Sequence, residues 1–282
     1  MITNDTRTGL ITGASSGIGA AFARKLASQG YDLVLVARRE AKLAQLAADL
    51  KREFHINTEV LVADLSQTAG IERVEKRSAE LASLELLVNN AGFGVPDKFA
   101  EAPLDETLAM IGVHVLASTR LSRAVLPGMI ARGKGGIINV SSIGGFMPSP
   151  AIEVTYCATK AYLIVLSKGL QAQLELQGTG VRVQALCPGF TCTEFHDNPA
   201  YAAQQIRTRI PKWLWMPAEA VVEESLRSLK HDQVICIPGL KNRLIVALAR
   251  SGLTRLLLGI LRNRLRSSRQ GRLISNSAVP GT

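Results

Sequence analysis

The sequence predicts an α/β fold: a doubly wound parallel sheet in a single domain, continued by a basic amphipathic helical extension at the C-terminus. Three observations carry this reading. Short apolar runs alternate with stretches of helical spacing, the pattern of parallel strands covered on both faces. A Gly-rich turn, Thr12-Gly13-Ala14-Ser15-Ser16-Gly17-Ile18-Gly19, joins the first apolar run to the first helical stretch. The net charge of +10 is concentrated at one end: residues 241–282 hold nine Lys and Arg and no acid, leaving 24 bases against 23 acids before them.

The first run, Leu10-Ile11, leads through that turn into Ala20–Leu26, which has helical spacing. A strand, a Gly-rich turn and a helix put free backbone N–H groups and a positive dipole end at one point, suited to a phosphate or pyrophosphate. The spacing is not that of a P-loop, nor the strict G-x-G-x-x-G of the usual dinucleotide fold. Gly13, Ser15, Ser16, Gly17, Ile18 and Gly19 are the candidate contacts. A second run, Asp32–Ala37, reads as a buried strand and ends in Arg38-Arg39. An acid at this place commonly binds a ribose 2′-hydroxyl, whereas a guanidinium fork matches a 2′-phosphate. The basic pair therefore favours NADP(H) over NAD(H), with Arg38 the stronger candidate; the bland alternative is two solvated residues opening a helix. A third run, Val60–Ala63, ends in Asp64-Leu65, where Asp64 suits either an adenine edge or the N-cap of the next helix.

Tyr156 and Lys160 stand four residues apart, with Ser142 upstream. On a helix, positions i and i+4 share a face, so the ammonium lies near the phenol and favours its ionised form. That would bring Tyr156 towards the working range of a general acid or base. Ser142 offers a second hydroxyl to the same oxygen. Ser141 is the other candidate, but alternation along a strand points it to the opposite side.

Together these residues resemble the short-chain dehydrogenase/reductase family. The resemblance runs from about residue 8 to 195 and rests on Thr12–Gly19, Asp64, Asn89-Asn90-Ala91-Gly92 after the strand Leu86–Val88, Ser142, Tyr156, Lys160, and Pro188-Gly189 with Thr193 after the strand Val181–Leu186. It implies a Rossmann-type fold that binds a nicotinamide dinucleotide and interconverts a ketone and a secondary alcohol by hydride transfer. Tyr156 would be the acid/base, Lys160 would hold the nicotinamide ribose and lower the Tyr pKa, and Ser142 would polarise the substrate oxygen. Asn90, Ala91 and Gly92 would lie along the cofactor, and Pro188, Gly189, Thr191 and Thr193 would bind the nicotinamide carboxamide. Two departures stand out. His114 replaces the Asn that commonly supports a water relay behind the Lys, and is either a relay of its own shape or a structural His. The stretch from Ser142 to Tyr156 is one residue longer than the common pattern.

At 282 residues and 47% hydrophobic the chain can bury one substantial core. Its four Cys form no C-x-x-C pair and no Cys/His cluster, which argues against a metal site or a disulfide framework. The first strand lies close to Met1, so a cytoplasmic protein without a signal peptide is expected. The domain boundaries expected are 1–240 for the dinucleotide-binding catalytic domain, 241–272 for the helical extension and 273–282 for a disordered tail. In the extension Arg255, Arg262 and Arg266 project opposite Leu256, Leu257, Ile260 and Leu261. Peripheral contact with a membrane, a partner's surface and packing on its own domain all fit; without aromatics to stack bases, nucleic acid is not expected. The resemblance implies that residues 193–217 form a mobile helical flap over the substrate. Phe195, Tyr201, Ile206, Ile210, Trp213, Trp215 and Met216 there favour a carbonyl or alcohol substrate with hydrophobic bulk, while Arg207, Arg209 and Lys212 suit an anionic handle or water. A homodimer or homotetramer is the expected assembly.

Overall fold

The apolar runs become strands that converge on one edge of a single sheet. The computed structural model describes residues 7–147, 153–197, 201 and 205–251. In chain order the elements are β1 (Thr8–Thr12), α1 (Gly17–Ala27), β2 (Asp32–Ala37), α2 (Glu40–Phe54), β3 (Thr58–Val62), α3 (Thr68–Glu80) and β4 (Leu84–Asn89). Next come α4 (Leu104–Ile111), a π-helical stretch (Gly112–Ala117), α5 (Ser118–Ala131), β5 (Gly135–Val140), α6 (Val154–Leu176) and β6 (Val181–Leu186). The chain closes with β7 (Thr191–Cys192), α7 (Ile206–Arg209), β8 (Met216–Pro217), α8 (Ala218–Lys230), β9 (Ile235–Cys236) and α9 (Leu240–Arg250). Seven strands pair in the order β3-β2-β1-β4-β5-β6-β9, all parallel.

Both faces are covered, which is why the central strands read as unbroken apolar runs rather than alternating ones. Phe22 and Leu26 of α1, Leu43 and Leu50 of α2 and Val221 and Val222 of α8 pack on one side. Ile71 and Val74 of α3, Leu121, Val125 and Met129 of α5 and Leu174 of α6 pack on the other. Each such buried side chain contributes about 1.5–3 kcal/mol. A polar thread crosses the second layer: the Asn89 side chain donates to the Asn139 Oδ1 at 2.8 Å, and Asn139 Nδ2 donates to the Ser167 hydroxyl at 3.0 Å, tying β4 and β5 to α6. That thread fixes the helix carrying Tyr156 and Lys160 against the sheet.

The strand order reverses between β1 and β4, and loops leaving those carboxyl ends diverge into a crevice, the place where open α/β sheets bind ligands. The Gly-rich turn, Arg38-Arg39, Asp64, Asn90–Gly92, Ser142 and Pro188–Thr193 all follow strand ends on that edge.

The strands β2 and β6 occupy the expected residues, whereas β3 starts and ends slightly earlier than its apolar run. Asp64 is not an N-cap: Gln67 holds that place, and Asp64 instead accepts from the amide and hydroxyl of Ser66 in a tight turn. Past residue 240, α9 packs on the preceding chain, with Asn242 and Val246 buried and Asn242 donating to the Pro238 carbonyl at 2.7 Å. Its side-chain oxygen sits so close to Gly189 that a Cβ there would lie 2.3 Å from it. Residues 252–282, and with them the Arg255/Arg262/Arg266 face and the 273–282 tail, lie outside the described residues.

Truncation after Gly239 is therefore expected to destabilise the domain and loosen the Gly189 loop, not to spare them. The expected readout is a lowered melting temperature with weakened nucleotide binding; an unchanged melt would show that α9 is dispensable.

Candidate active site

The cleft along the switch edge measures about 1480 Å³, large enough for a dinucleotide and a substrate together. Its floor is made where chain segments approach too closely for side chains. Gly13 has φ +66°, and a Cβ on it would lie 2.8 Å from both the Ala91 Cα and the Asn90 amide nitrogen. A Cβ on Gly19 would meet the Gly13 carbonyl oxygen at 2.3 Å. Ser15, Ser16 and Ile18 line the same turn. Thr12 accepts from the Asn90 and Ala91 amides at 2.9 and 3.0 Å, and the Asn90 side chain donates to the Thr12 and Gly13 carbonyls at 2.9 and 3.2 Å. Asn90 thus braces the turn as well as lining the cleft.

At the end of β2 the two arginines behave differently. Both line the cleft. Arg39 turns back over the Gly-rich turn and donates to Ser15 and Ser16 at 2.9 and 2.7 Å, and to Glu194 at 2.7 Å. Arg38 is exposed and has no partner among the described residues. Asp64 and Leu65 line the adenine end, and Pro188, Gly189, Thr191 and Thr193 the other. Glycines at the turn, amides at a helix start and a cationic fork at the β2 end fit a nucleotide with phosphate groups.

At the nicotinamide end, Tyr156 and Lys160 share a face of α6 and Ser142 follows β5. Ser142 and Tyr156 line the cleft side by side at Gly144, and the Ser142 hydroxyl accepts from the Gly144 amide at 3.0 Å. Ser141 points away, as strand alternation requires, and donates to the Lys160 carbonyl at 2.7 Å. The ammonium of Lys160 lies 5.5 Å from the Tyr156 ring centroid and donates to the Val140 carbonyl at 2.9 Å. The electrostatic balance runs opposite to the one expected from spacing. Burial pushes the Lys160 ammonium down to about 7, and burial pushes the Tyr156 phenol up, opposed by the Ser142 hydroxyl beside it. Desolvation outweighs their mutual attraction, Lys160 being buried and Tyr156 half-buried.

His114 lies in the π-helical stretch and is 1% exposed. Its Nε2 accepts from the Phe93 amide at 3.2 Å, and its Nδ1 lies 2.8 Å from the Thr159 hydroxyl. That hydroxyl already donates to the Tyr156 carbonyl, so Nδ1 carries the proton and the ring is neutral. Burial, with Lys160 beside it, holds its pKa well below the usual histidine range. Both nitrogens are engaged, and the side chain joins the Asn90–Gly94 loop to α6.

Several cleft residues had no sequence signal. Glu153, one helical turn before Tyr156, accepts from the Val95 amide at 2.7 Å and from the phenol of Tyr201, and burial raises its pKa. The flap side of the cleft is an aromatic cluster: Phe195 lies 6.1 Å from Tyr156 and 5.3 Å from Tyr201, and His196 packs between Phe190 and Trp215. Ile206, Ile210, Leu214 and Ile245 complete it. Trp213 instead faces solvent, with Lys241 stacked on it, and Arg207 pairs with Asp197 inside the flap. Among the described residues no His, Cys, Asp and Glu cluster is arranged to hold a metal.

A family model described as short chain dehydrogenase matches residues 7–202. The chain belongs to the short-chain dehydrogenase/reductase family. It has the Rossmann-type fold of that family. A short-chain dehydrogenase from Sphingobium yanoikuyae, solved in complex with NADPH, superposes with a TM-score of 0.76 at 33% identity, covering 98% of this chain and 97% of that one. A bulky-bulky ketone specific alcohol dehydrogenase from Comamonas testosteroni gives 0.73 at 31% identity, covering 99% and 97%. The very-long-chain 3-oxoacyl-CoA reductase of Anas platyrhynchos is 35% identical over 189 residues, which are 66% of this chain and 60% of that protein. The chain thus matches well under two thirds of that reductase's length.

Tyr156→Phe keeps the ring packing and removes the proton donor, so turnover should fall by ~10²–10⁴-fold with nucleotide affinity retained. Wild-type turnover in that variant would remove Tyr156 from the chemistry. The Lys160 pKa gives a stability test. The group is charged in both states below pH 7 and neutral in both well above its ordinary value of 10.5. Between these limits the unfolded chain binds the extra proton, so stability rises with pH. Relative to Lys160→Met, the wild type should gain about 3 kcal/mol between about pH 7 and pH 9.5, read from denaturant midpoints. A flat difference would mean that Lys160 titrates normally.

Proposed function

We propose that this protein is an NADP(H)-dependent reductase of ketones with large apolar substituents. The observation that carries this is that Ser142 and Tyr156 stand side by side at the foot of a cleft whose far wall is aromatic and aliphatic. Two hydroxyls converging on one point place donors where negative charge develops on a carbonyl oxygen. Bound nicotinamide supplies the hydride. Tyr156 delivers the proton to the forming alkoxide, Ser142 holds the same oxygen, and Lys160 braces the phenol from the α6 side. Phe190, Phe195, Tyr201, Ile206, Ile210 and Leu214 exclude water and take the apolar substituents. This wall suits acyl, sterol-like or aryl groups, in keeping with the ketone and 3-oxoacyl substrates named for the relatives. The buried Glu153–Tyr201 pair, acidic and near the hydroxyls, favours neutral groups around the carbonyl. A non-catalytic nucleotide-binding role on the same fold has no support in a complete Ser/Tyr/Lys set.

Arg39 and Arg38 support the cofactor preference. A charge-assisted hydrogen bond contributes about 1.5–3 kcal/mol. Arg39→Ala should weaken NADPH binding by about ten-fold or more and change NADH binding little. Equal affinity of the wild type for both cofactors would overturn the preference. The substrate reading is tested by NADPH oxidation with diaryl ketones, steroid ketones and 3-oxoacyl thioesters set against acetone. Bulky ketones should be favoured, and a preference for acetone would overturn the reading.

Exposed Leu104, Leu108, Leu116 and Val165 on neighbouring helices support self-association as a homodimer or homotetramer. On α9, Leu240, Leu244 and Leu248 form an exposed stripe at i, i+4 and i+8, close to exposed Trp213 and at the start of the acid-free segment. No helix among the described residues is long and apolar enough to cross a membrane. An amphipathic surface with excess Lys and Arg supports peripheral contact with anionic lipid, each base contributing ~1 kcal/mol near such a leaflet. Full-length protein should sediment with phosphatidylglycerol vesicles at low salt and be released at high salt. Protein that ignores the vesicles at low salt would leave the stripe to another surface.

A further inference from the structure

The 2′-phosphate end of the cleft already contains an anion of the protein's own. Glu194 lies just after β7, where the flap begins, yet its carboxylate reaches across the cleft mouth to the start of α2. One oxygen is 2.7 Å from Arg39 Nη1 and the other 2.7 Å from Lys42 Nζ. The remaining donors of Arg39 hold Ser15 and Ser16 of the Gly-rich turn. Thr193, the preceding residue, packs so tightly on Gly17 that a Cβ there would lie 2.9 Å from it. The segment carrying Glu194 therefore crosses directly over the phosphate-binding turn. The carboxylate is half exposed, with a side-chain accessibility of 47%, so no packing demand explains its place. Hydrogen bonds from Lys42 and Arg39 hold its pKa below the usual range, so it is charged wherever the enzyme works.

We propose that Glu194 is a cofactor-specificity residue: an internal carboxylate that competes with the ribose 2′-phosphate for Arg39 and Lys42. This rests on the NADP(H) reading above. A nucleotide bearing the 2′-phosphate offers these cations a dianion and displaces Glu194. One lacking it leaves Glu194 in place and gains nothing from either cation. The carboxylate thereby sets a threshold that phosphate must exceed and lowers the affinity the cationic fork would otherwise give. No comparable anion faces Arg38 among the described residues, so the competition is confined to Arg39 and Lys42.

The test uses two fragments that differ only in the phosphate, 2′,5′-ADP and 5′-ADP, titrated calorimetrically into the wild type and into Glu194→Gln and Glu194→Ala. Both variants should bind 2′,5′-ADP about three- to ten-fold more tightly than the wild type, the range set by exposed ion pairs, with 5′-ADP unchanged within about two-fold. Unchanged 2′,5′-ADP affinity in both variants would overturn the competition. Equal weakening of both fragments would also overturn it, and would make Glu194 a clamp on the bound nucleotide. The two readings fail separately. A wild type that does not prefer 2′,5′-ADP defeats the NADP(H) reading alone; the role of Glu194 then stands if the variants acquire that preference and falls if they do not.

Discussion

The arrangement depends on how two parallel strands part company. Where β1 and β4 end, their loops turn to opposite faces and would leave backbone groups facing a gap. Thr12 and Asn90 close that gap from both sides: the hydroxyl takes two amides of the β4 loop, and the amide side chain takes two carbonyls of the β1 turn. Buried backbone groups cannot be left unpaired, so this exchange lets the crevice exist without cost to the strands. Gly13 and Gly19 then bring the turn close enough to the β4 loop that only hydrogen fits between them. The phosphate-binding floor, the position of Asn90–Gly92 and hence the packing of His114 under Gly92 all follow from this knot.

The second organising force is desolvation at α6. A buried lysine and a half-buried tyrosine share one helical face, and each is displaced towards its neutral form. Such a pair is costly to bury and is retained where a proton must move. The surrounding polar contacts are directed at backbone atoms: Lys160 to Val140, Ser141 to Lys160, Thr159 to Tyr156. These contacts fix the geometry while leaving the phenol and the Ser142 hydroxyl facing the cleft.

Much of this was legible in the sequence because it is local. The Gly-rich turn, the four-residue spacing of Tyr156 and Lys160 and the alternation that separates Ser142 from Ser141 are short-range properties that the fold preserves. What was not legible is long-range pairing. Glu194 meets residues more than 150 positions away, and Glu153 meets Tyr201 across 48. No periodicity reports such partners. His114 was ambiguous for the same reason, since its partners Phe93 and Thr159 lie on other elements. The relative weight of Arg38 and Arg39 turned on which of two adjacent side chains bends back over the turn. Charge counting does not report how α9 packs, because it docks through the narrow stripe of Asn242 and Val246.

The two-residue strands β7 and β8 pair in parallel, Thr191 with Met216 and Cys192 with Pro217. The flap therefore leaves and returns at one neck, beside the carboxyl end of β6. The entropy of closing a loop grows only with the logarithm of its length, about 0.6 kcal/mol for each doubling. Insertions or deletions between Cys192 and Met216 would reshape the substrate wall at small thermodynamic cost, and the register of the hydride-transfer residues would not shift. Pinned in this way, the segment can diverge in length while the sheet and the Ser142, Tyr156 and Lys160 arrangement are kept.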